Sequence, residues 1–146
     1  MKYGIMTPLL TNPELGEYEI IDCNLTYNLP GPGSELHIKY IYKDNTIEFI
    51  FKDSILSYRM APLLHLHKYI SIYNIDDHIS KQFPNRIFPL YEITGKSAYL
   101  EWLLSAGSDV MMTERDINEV KHFIFADDYI YIEVLSTENP MIKGLN

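Results

Sequence analysis

The chain of 146 residues holds a single cysteine, Cys23, so no internal disulfide forms and the small secreted scaffolds built on disulfide frameworks are excluded. Basic residues are scarce: 12 Lys and Arg stand against 20 Asp and Glu, for a net charge of −8 and a pI near 5.0. Nucleic-acid binding that works by neutralising phosphates needs clustered Lys and Arg, and an acidic chain repels a polyanion, so that class is excluded too. No apolar run approaches the ~18 residues a membrane span requires. The opening Met1-Lys2-Tyr3-Gly4-Ile5-Met6-Thr7-Pro8 lacks the long apolar core of a signal peptide. The expectation is a cytoplasmic protein with neither membrane nor nucleic acid among its partners, in which Cys23 is a buried thiol rather than a reactive one. Internal repeats and long linkers are also missing. With 47% hydrophobic, 13% aromatic and 22% charged residues, the composition is that of one globular domain, residues 1–146.

What is present is strand periodicity. Leu36, Ile38, Tyr40 and Tyr42 alternate with Glu35, His37, Lys39 and Lys43, and Ile47, Phe49 and Phe51 alternate with Glu48 and Lys52. Period two with turn-tolerant Lys43-Asp44-Asn45 between the runs predicts an antiparallel hairpin with one buried and one wet face. Glu17 to Tyr27 and Ser54 to Met60 read as further strands, a strand is expected from Lys68 to Tyr73, and Arg86 to Ile93 is extended. Leu100, Leu103 and Leu104 fall at helical spacing behind Ser97, which suits an N-cap, and ahead of Gly107, which suits a C-cap. A short helical turn is expected from Thr113. His122 to Phe125 and Tyr129 to Leu135, joined by Ala126-Asp127-Asp128, predict a terminal hairpin. The expected class is α+β: a mostly antiparallel β-sheet with one principal α-helix at about residues 97–106.

Candidate chemistry is sparse. Gly95-Lys96-Ser97 sits between a strand and a helix, as a phosphate loop would, but the glycine required five residues earlier is Leu90, so Ser97 reads as a helix cap. His65 and His67 on one side of a strand, with His78 near Asp76 and Asp77, have the donors but not the spacing pattern of a metal site. Asp76-Asp77 and Asp127-Asp128 fit turns, where an aspartate bonds its own backbone. No Ser-His-Asp or Cys-His arrangement is legible, since Cys23 lies in an apolar run and Ser34 in a proline-glycine loop. Neither an enzyme nor a cofactor or metal requirement is therefore expected.

The distribution of charge says more. Residues 1–35 carry −4, whereas residues 109–138 carry −6, with eight acids against Arg115 and Lys121. If the short helical turn and the terminal hairpin lie side by side, Asp109, Glu114, Asp116, Glu119, Asp127, Asp128 and Glu133 form a negative surface bearing Tyr129 and Tyr131, rings suited to a protein interface.

The stretch from Gly95-Lys96-Ser97 through Leu100-Glu101-Trp102-Leu103, then Lys121-His122-Phe123-Ile124 and Tyr131-Ile132-Glu133-Val134-Leu135-Ser136, ending at Pro140, resembles the C-terminal half of small bacterial proteins similar to the immunity proteins encoded beside polymorphic or contact-dependent toxins. That resemblance implies an acidic, non-enzymatic, cytoplasmic domain that binds and blocks a secreted toxin domain, often a basic nuclease. Two rival readings remain. One is a small-molecule or metal-binding domain, its pocket lined by Tyr40, Tyr42, Phe49, Phe51 and Tyr58. The other is a homo-oligomer joined through the open edge of the terminal hairpin.

Overall fold

The computed structural model of the chain describes residues 3–10, 16–27, 33–75, 87–106 and 114–144. The first strands are β1 (Ile5–Pro8), β2 (Tyr18–Tyr27), β3 (Ser34–Tyr42), β4 (Asn45–Lys52) and β5 (Ile55–Pro62). A 3-10 turn (Leu63–His65), helix α1 (Leu66–Ile70) and the short strand β6 (Asn74–Ile75) follow. Then come β7 (Leu90–Thr94), α2 (Ala98–Ala106), α3 (Glu114–Glu119), β8 (Lys121–Ala126), β9 (Ile130–Ser136) and β10 (Met141–Lys143). These strands make two sheets, in the orders β5-β9-β8-β7-β1-β6 and β10-β4-β3-β2. All pairings are antiparallel except the parallel contact of β1 with β6. An α+β class agrees with this arrangement, and β-structure dominates it.

The β3–β4 hairpin forms as its alternation requires. Tyr42 pairs with Asn45, and Lys43 and Asp44 take φ of 47° and 67°, the two left-handed residues of a turn whose twist matches the strands it joins. One face of this hairpin, with Leu36, Ile38, Tyr40, Ile47, Phe49 and Phe51, packs on Leu90, Phe123, Phe125, Ile132 and Val134 of the six-stranded sheet. Aromatic rings interlock across the layer, with Phe49 and Phe125 centroids 5.1 Å apart at 64°. The fully buried Tyr40 donates its hydroxyl to the carbonyls of Pro89 and Ala126, at 2.9 and 3.2 Å, and so ties the two sheets together. Tyr40, Phe49 and Phe51 are therefore core.

The six-stranded sheet is covered on its other face as well. Leu66 and Ile70 of α1, with Tyr73, Ile87 and Phe88, bury Met6, Tyr91, Ile93, Ile124, Ala126 and Tyr131. Both faces of β8 and β9 are thus dry, and the two strands are buried almost end to end. This corrects the expected wet face of the terminal hairpin. The hairpin itself forms, with His122 opposite Leu135 and Phe123 opposite Val134. Because β5 pairs along the free side of β9, the edge invoked for oligomerisation is occupied.

Residues 68–73 are a second correction. Leu66, Ile70 and Tyr73 fall on one side at helical spacing, and burying that side against the sheet stabilises a turn of helix rather than a strand. No helix among the described residues is long and apolar enough to cross a membrane.

Candidate functional site

Under the helical layer, the six-stranded sheet carries a hydrogen-bonded cluster of polar side chains. Period two places His122 of β8, Glu133 of β9 and Arg59 of β5 on the face away from the first core. Arg59 is directly opposite Glu133, and His122 lies one diagonal step from it. Ser97 joins from the turn that follows β7, where Gly95 holds φ of 85°, a conformation that costs a glycine little. Ser97 caps α2, its Oγ accepting the Leu100 N–H at 3.1 Å, as the sequence indicates.

The same hydroxyl lies 2.8 Å from His122 Nδ1, and His122 Nε2 lies 2.8 Å from Glu133 Oε1. Glu133 is fully buried and is satisfied further by Tyr69, whose hydroxyl donates to Oε1 at 2.6 Å, and by Arg59, whose Nε donates to Oε2 at 2.5 Å. Burial pushes the Glu133 carboxyl up, but the hydrogen bond and charge of His122, with the Tyr69 and Arg59 donors, outweigh it and hold the group below its ordinary value. The carboxyl is thus ionised at neutral pH and takes a proton donor from His122 at Nε2. The other ring nitrogen, Nδ1, faces the Ser97 hydroxyl.

Aromatic rings fix the remaining parts. The Arg59 guanidinium carbon is 3.9 Å from the Tyr99 ring centroid and 5.9 Å from that of Trp102. The Tyr99 hydroxyl shares a 2.5 Å hydrogen bond with Ser57, and the Tyr73 hydroxyl accepts the Ala98 N–H at 3.0 Å. Burial and the neighbouring Glu133 charge push the Tyr69 hydroxyl far above its ordinary value, so Tyr69 stays a donor. A cavity of about 760 Å³ opens against this cluster, lined by Ser97, His122, Leu100, Leu104, Ile117 and Val120 among others.

The described residues among those expected to form an acidic docking surface do not all face solvent. Asp109 lies outside the described residues, as do the side chains of Glu114 and Asp116. Glu119 borders the cavity. Glu133 and Tyr131 are buried within the fold, because β9 is a central strand with both faces covered, and Glu133 is paired with Arg59 rather than offered to a partner. Asp127 is also buried, 3% exposed, and serves as a turn aspartate. Its Oδ1 accepts the N–H groups of Tyr129 and Ile130 at 2.7 and 2.9 Å, and its Oδ2 accepts that of Ile20 at 2.9 Å. Among the described members of the set, Glu119, Asp128 and Tyr129 are exposed, and Asp128 and Tyr129 stand side by side in the β8–β9 turn, Tyr129 at 72% exposure.

The histidine expectation also changes. His65 lies in the 3-10 turn and residue 67 in α1, so no strand aligns them, while His78 and the His67 side chain fall outside the described residues. Among the described residues no group of three His, Cys, Asp or Glu side chains converges as a metal site would. Cys23 is half-buried, and burial together with the Asp22 charge pushes its thiol up to about 11, which keeps it protonated and unreactive.

Sequence reasoning missed Ser97, His122 and Arg59 as one unit. The signal was present in part, since any register of the terminal hairpin centred on Asp127-Asp128 puts His122 close to Glu133. No protein-family model, curated protein or solved structure matches this chain.

Proposed function

We infer that the chain is a protein-binding module of the immunity type, one domain with α2 as its principal helix, which neutralises a cognate bacterial toxin in the cytoplasm by docking against a basic domain. The observation that carries this reading is the bridge from the buried Asp127 carboxylate to Ile20 N–H. It sets the exposed Asp128 and Tyr129 beside the acidic start of β2. Asp128 lies next to Gly16, where an added Cβ would meet its Oδ2 at 2.8 Å. Exposed Glu17, Glu19 and Asp22 follow along this edge strand, with Ile21 46% exposed among them. On the other side the Leu63 N–H donates to the Tyr129 carbonyl at 2.8 Å, which brings in Leu64 at 85% exposure. The anionic surface thus joins the acids of the N-terminal segment to the β8–β9 turn. Carboxylates ringing exposed apolar side chains suit a basic partner, drawn in by long-range attraction and held by apolar contact.

The test pairs the chain with the product of the adjacent reading frame and measures association at about 0.05 M and 0.5 M salt, across which the Debye length shrinks severalfold. Association should slow with salt, and Asp128→Lys with Glu19→Lys should slow it by about tenfold or more while the circular dichroism spectrum is unchanged. Association indifferent to both salt and the reversals overturns the reading.

A further inference from the structure

The Ser97, His122 and Glu133 side chains form a linear relay that a helix cap alone does not need. A cap requires the Ser97 oxygen to accept one N–H, and Leu100 supplies it. The hydroxyl proton is then left to donate, and two acceptors are in reach, the Tyr73 hydroxyl and His122 Nδ1 at 2.8 Å, the latter in the tautomer that donates from Nε2 to Glu133. The far nitrogen of that ring is held at 2.8 Å by a carboxylate that Arg59 and Tyr69 fix in place. Nucleophile, base and orienting acid within hydrogen-bond reach are the parts of an activated serine, recognised by geometry rather than by order along the chain. Ser97 is only 8% exposed, so a reactant reaches it through the cavity it lines. Leu100 and Leu104, one turn apart on α2, with Ile117 and Val120, give that cavity an apolar wall.

We propose that Ser97 is a nucleophile that accepts the acyl group of a small carboxylic ester bound in this cavity with its acyl chain against Leu100 and Leu104. Ser97 Oγ bonds to the carbonyl carbon as its proton passes to His122 Nδ1. The bond from that carbon to the alkoxy oxygen then breaks, and the departing alkoxide takes the proton from His122. Water reverses the sequence: it attacks the acyl-serine, gives a proton to His122 and releases the carboxylic acid, and Ser97 recovers its hydroxyl proton. Ser97 and His122 are the catalytic residues, and Glu133, Arg59 and Tyr69 are positioning residues. The partial positive charge at the start of α2 favours negative charge near Oγ. The Ala98 N–H, however, is already held by Tyr73, so an oxyanion lacks a donor whose loss elsewhere costs about 10²–10³ in rate. Both acylation and deacylation are therefore expected to be slow, and the acyl-serine accumulates with an activated ester, whose good leaving group makes acylation the faster step.

The experiment treats the full chain with p-nitrophenyl butyrate and follows p-nitrophenolate release and intact mass. The expected result is a burst of about one equivalent with a mass gain of about 70 Da, mapped to Ser97. The adduct should be absent from the urea-unfolded chain and from Ser97→Asn, which keeps a capping side chain without a hydroxyl. No adduct on the folded protein, or one that maps to lysines and persists in the unfolded chain, overturns the proposal. Mapping on the native protein decides the matter even if Ser97→Asn fails to fold.

Discussion

Replacing Glu133 with glutamine should cost the fold about 3–5 kcal/mol, the penalty for breaking a buried charge pair by removing one partner. The side chain is fully buried and its two oxygens accept Arg59 at 2.5 Å, Tyr69 at 2.6 Å and His122 at 2.8 Å. A glutamine fills the same space, but its amide places an NH₂ where three donors converge, so at least one of them loses its acceptor. Two hydrogen bonds assisted by charge, at roughly 1.5–3 kcal/mol each, give the same range. The Arg59 side chain is 39% exposed and can rehydrate when Glu133 is replaced, so most of the Glu133 loss falls on the buried His122 and Tyr69. Arg59→Met, by contrast, leaves the fully buried Glu133 carboxylate without its charged partner and should cost a comparable amount, about 3 kcal/mol. Urea unfolding followed by circular dichroism at pH 7 measures both. The pH dependence supplies a sign. A carboxyl held below its ordinary value in the folded state, as Glu133 is, stabilises fully above its unfolded pKa of about 4.3 and loses that contribution as pH falls through the folded value. The gap between wild type and Glu133→Gln should accordingly be full at neutral pH and shrink below about pH 4. A loss under about 1 kcal/mol at pH 7, or a gap that widens towards acid, refutes an ionised carboxylate at this position.

Asp127→Ala should destabilise by about 2–4 kcal/mol, because three backbone N–H groups lose their acceptor, while Asp128→Ala stays within about 0.5 kcal/mol; equal effects in urea unfolding would contradict the buried turn. Gly4→Ala should cost more than about 2 kcal/mol, since the added Cβ would sit 1.9 Å from the Thr94 carbonyl oxygen, and an unchanged melting temperature would show that β1 does not approach β7 so closely. His37, on the wet face of β3, is bonded to Glu48 and, at 3.3 Å, to Glu35. Its hydrogen bond to Glu48 pushes its pKa up, burial opposes this, and Glu35 adds to the rise. A raised histidine stabilises fully below its unfolded pKa of about 6.5 and stops doing so as pH rises through the folded value. His37→Gln should therefore lose stability against wild type at pH 5–6 and converge with it in alkali; a gap that grows with pH has the wrong sign.

The elements that were legible in the sequence are those in which one face is buried and the other wet. In β3 and β4 the polar positions Lys39, Glu48 and Lys52 mark the solvent side, and the register follows. The same rule misled at β9, where Tyr131 and Glu133 alternate with Ile132 and Val134 as a wet face would, yet α1 and α2 close over them and β5 pairs along the edge. A period-two pattern reports which residues share a face and is silent on whether a second layer covers it. Strands β1 and β10, of four and three residues, lie below the length at which alternation is visible, and β1 holds its place by pairing with β7 and β6, contacts distant in sequence. The polar cluster was hidden for a related reason. Ser97 and His122 each have an ordinary local role, cap and strand residue, and only the pairing of β7 with β8 brings α2's first turn onto the histidine. Charge counted along the chain could not separate Asp128, which faces water, from Asp127 and Glu133, which hold the interior together. The acidic edge that remains draws on Glu17, Glu19 and Asp22, a segment whose negative charge was visible but whose neighbour across the fold was set by one carboxylate, that of Asp127, reaching the backbone of Ile20.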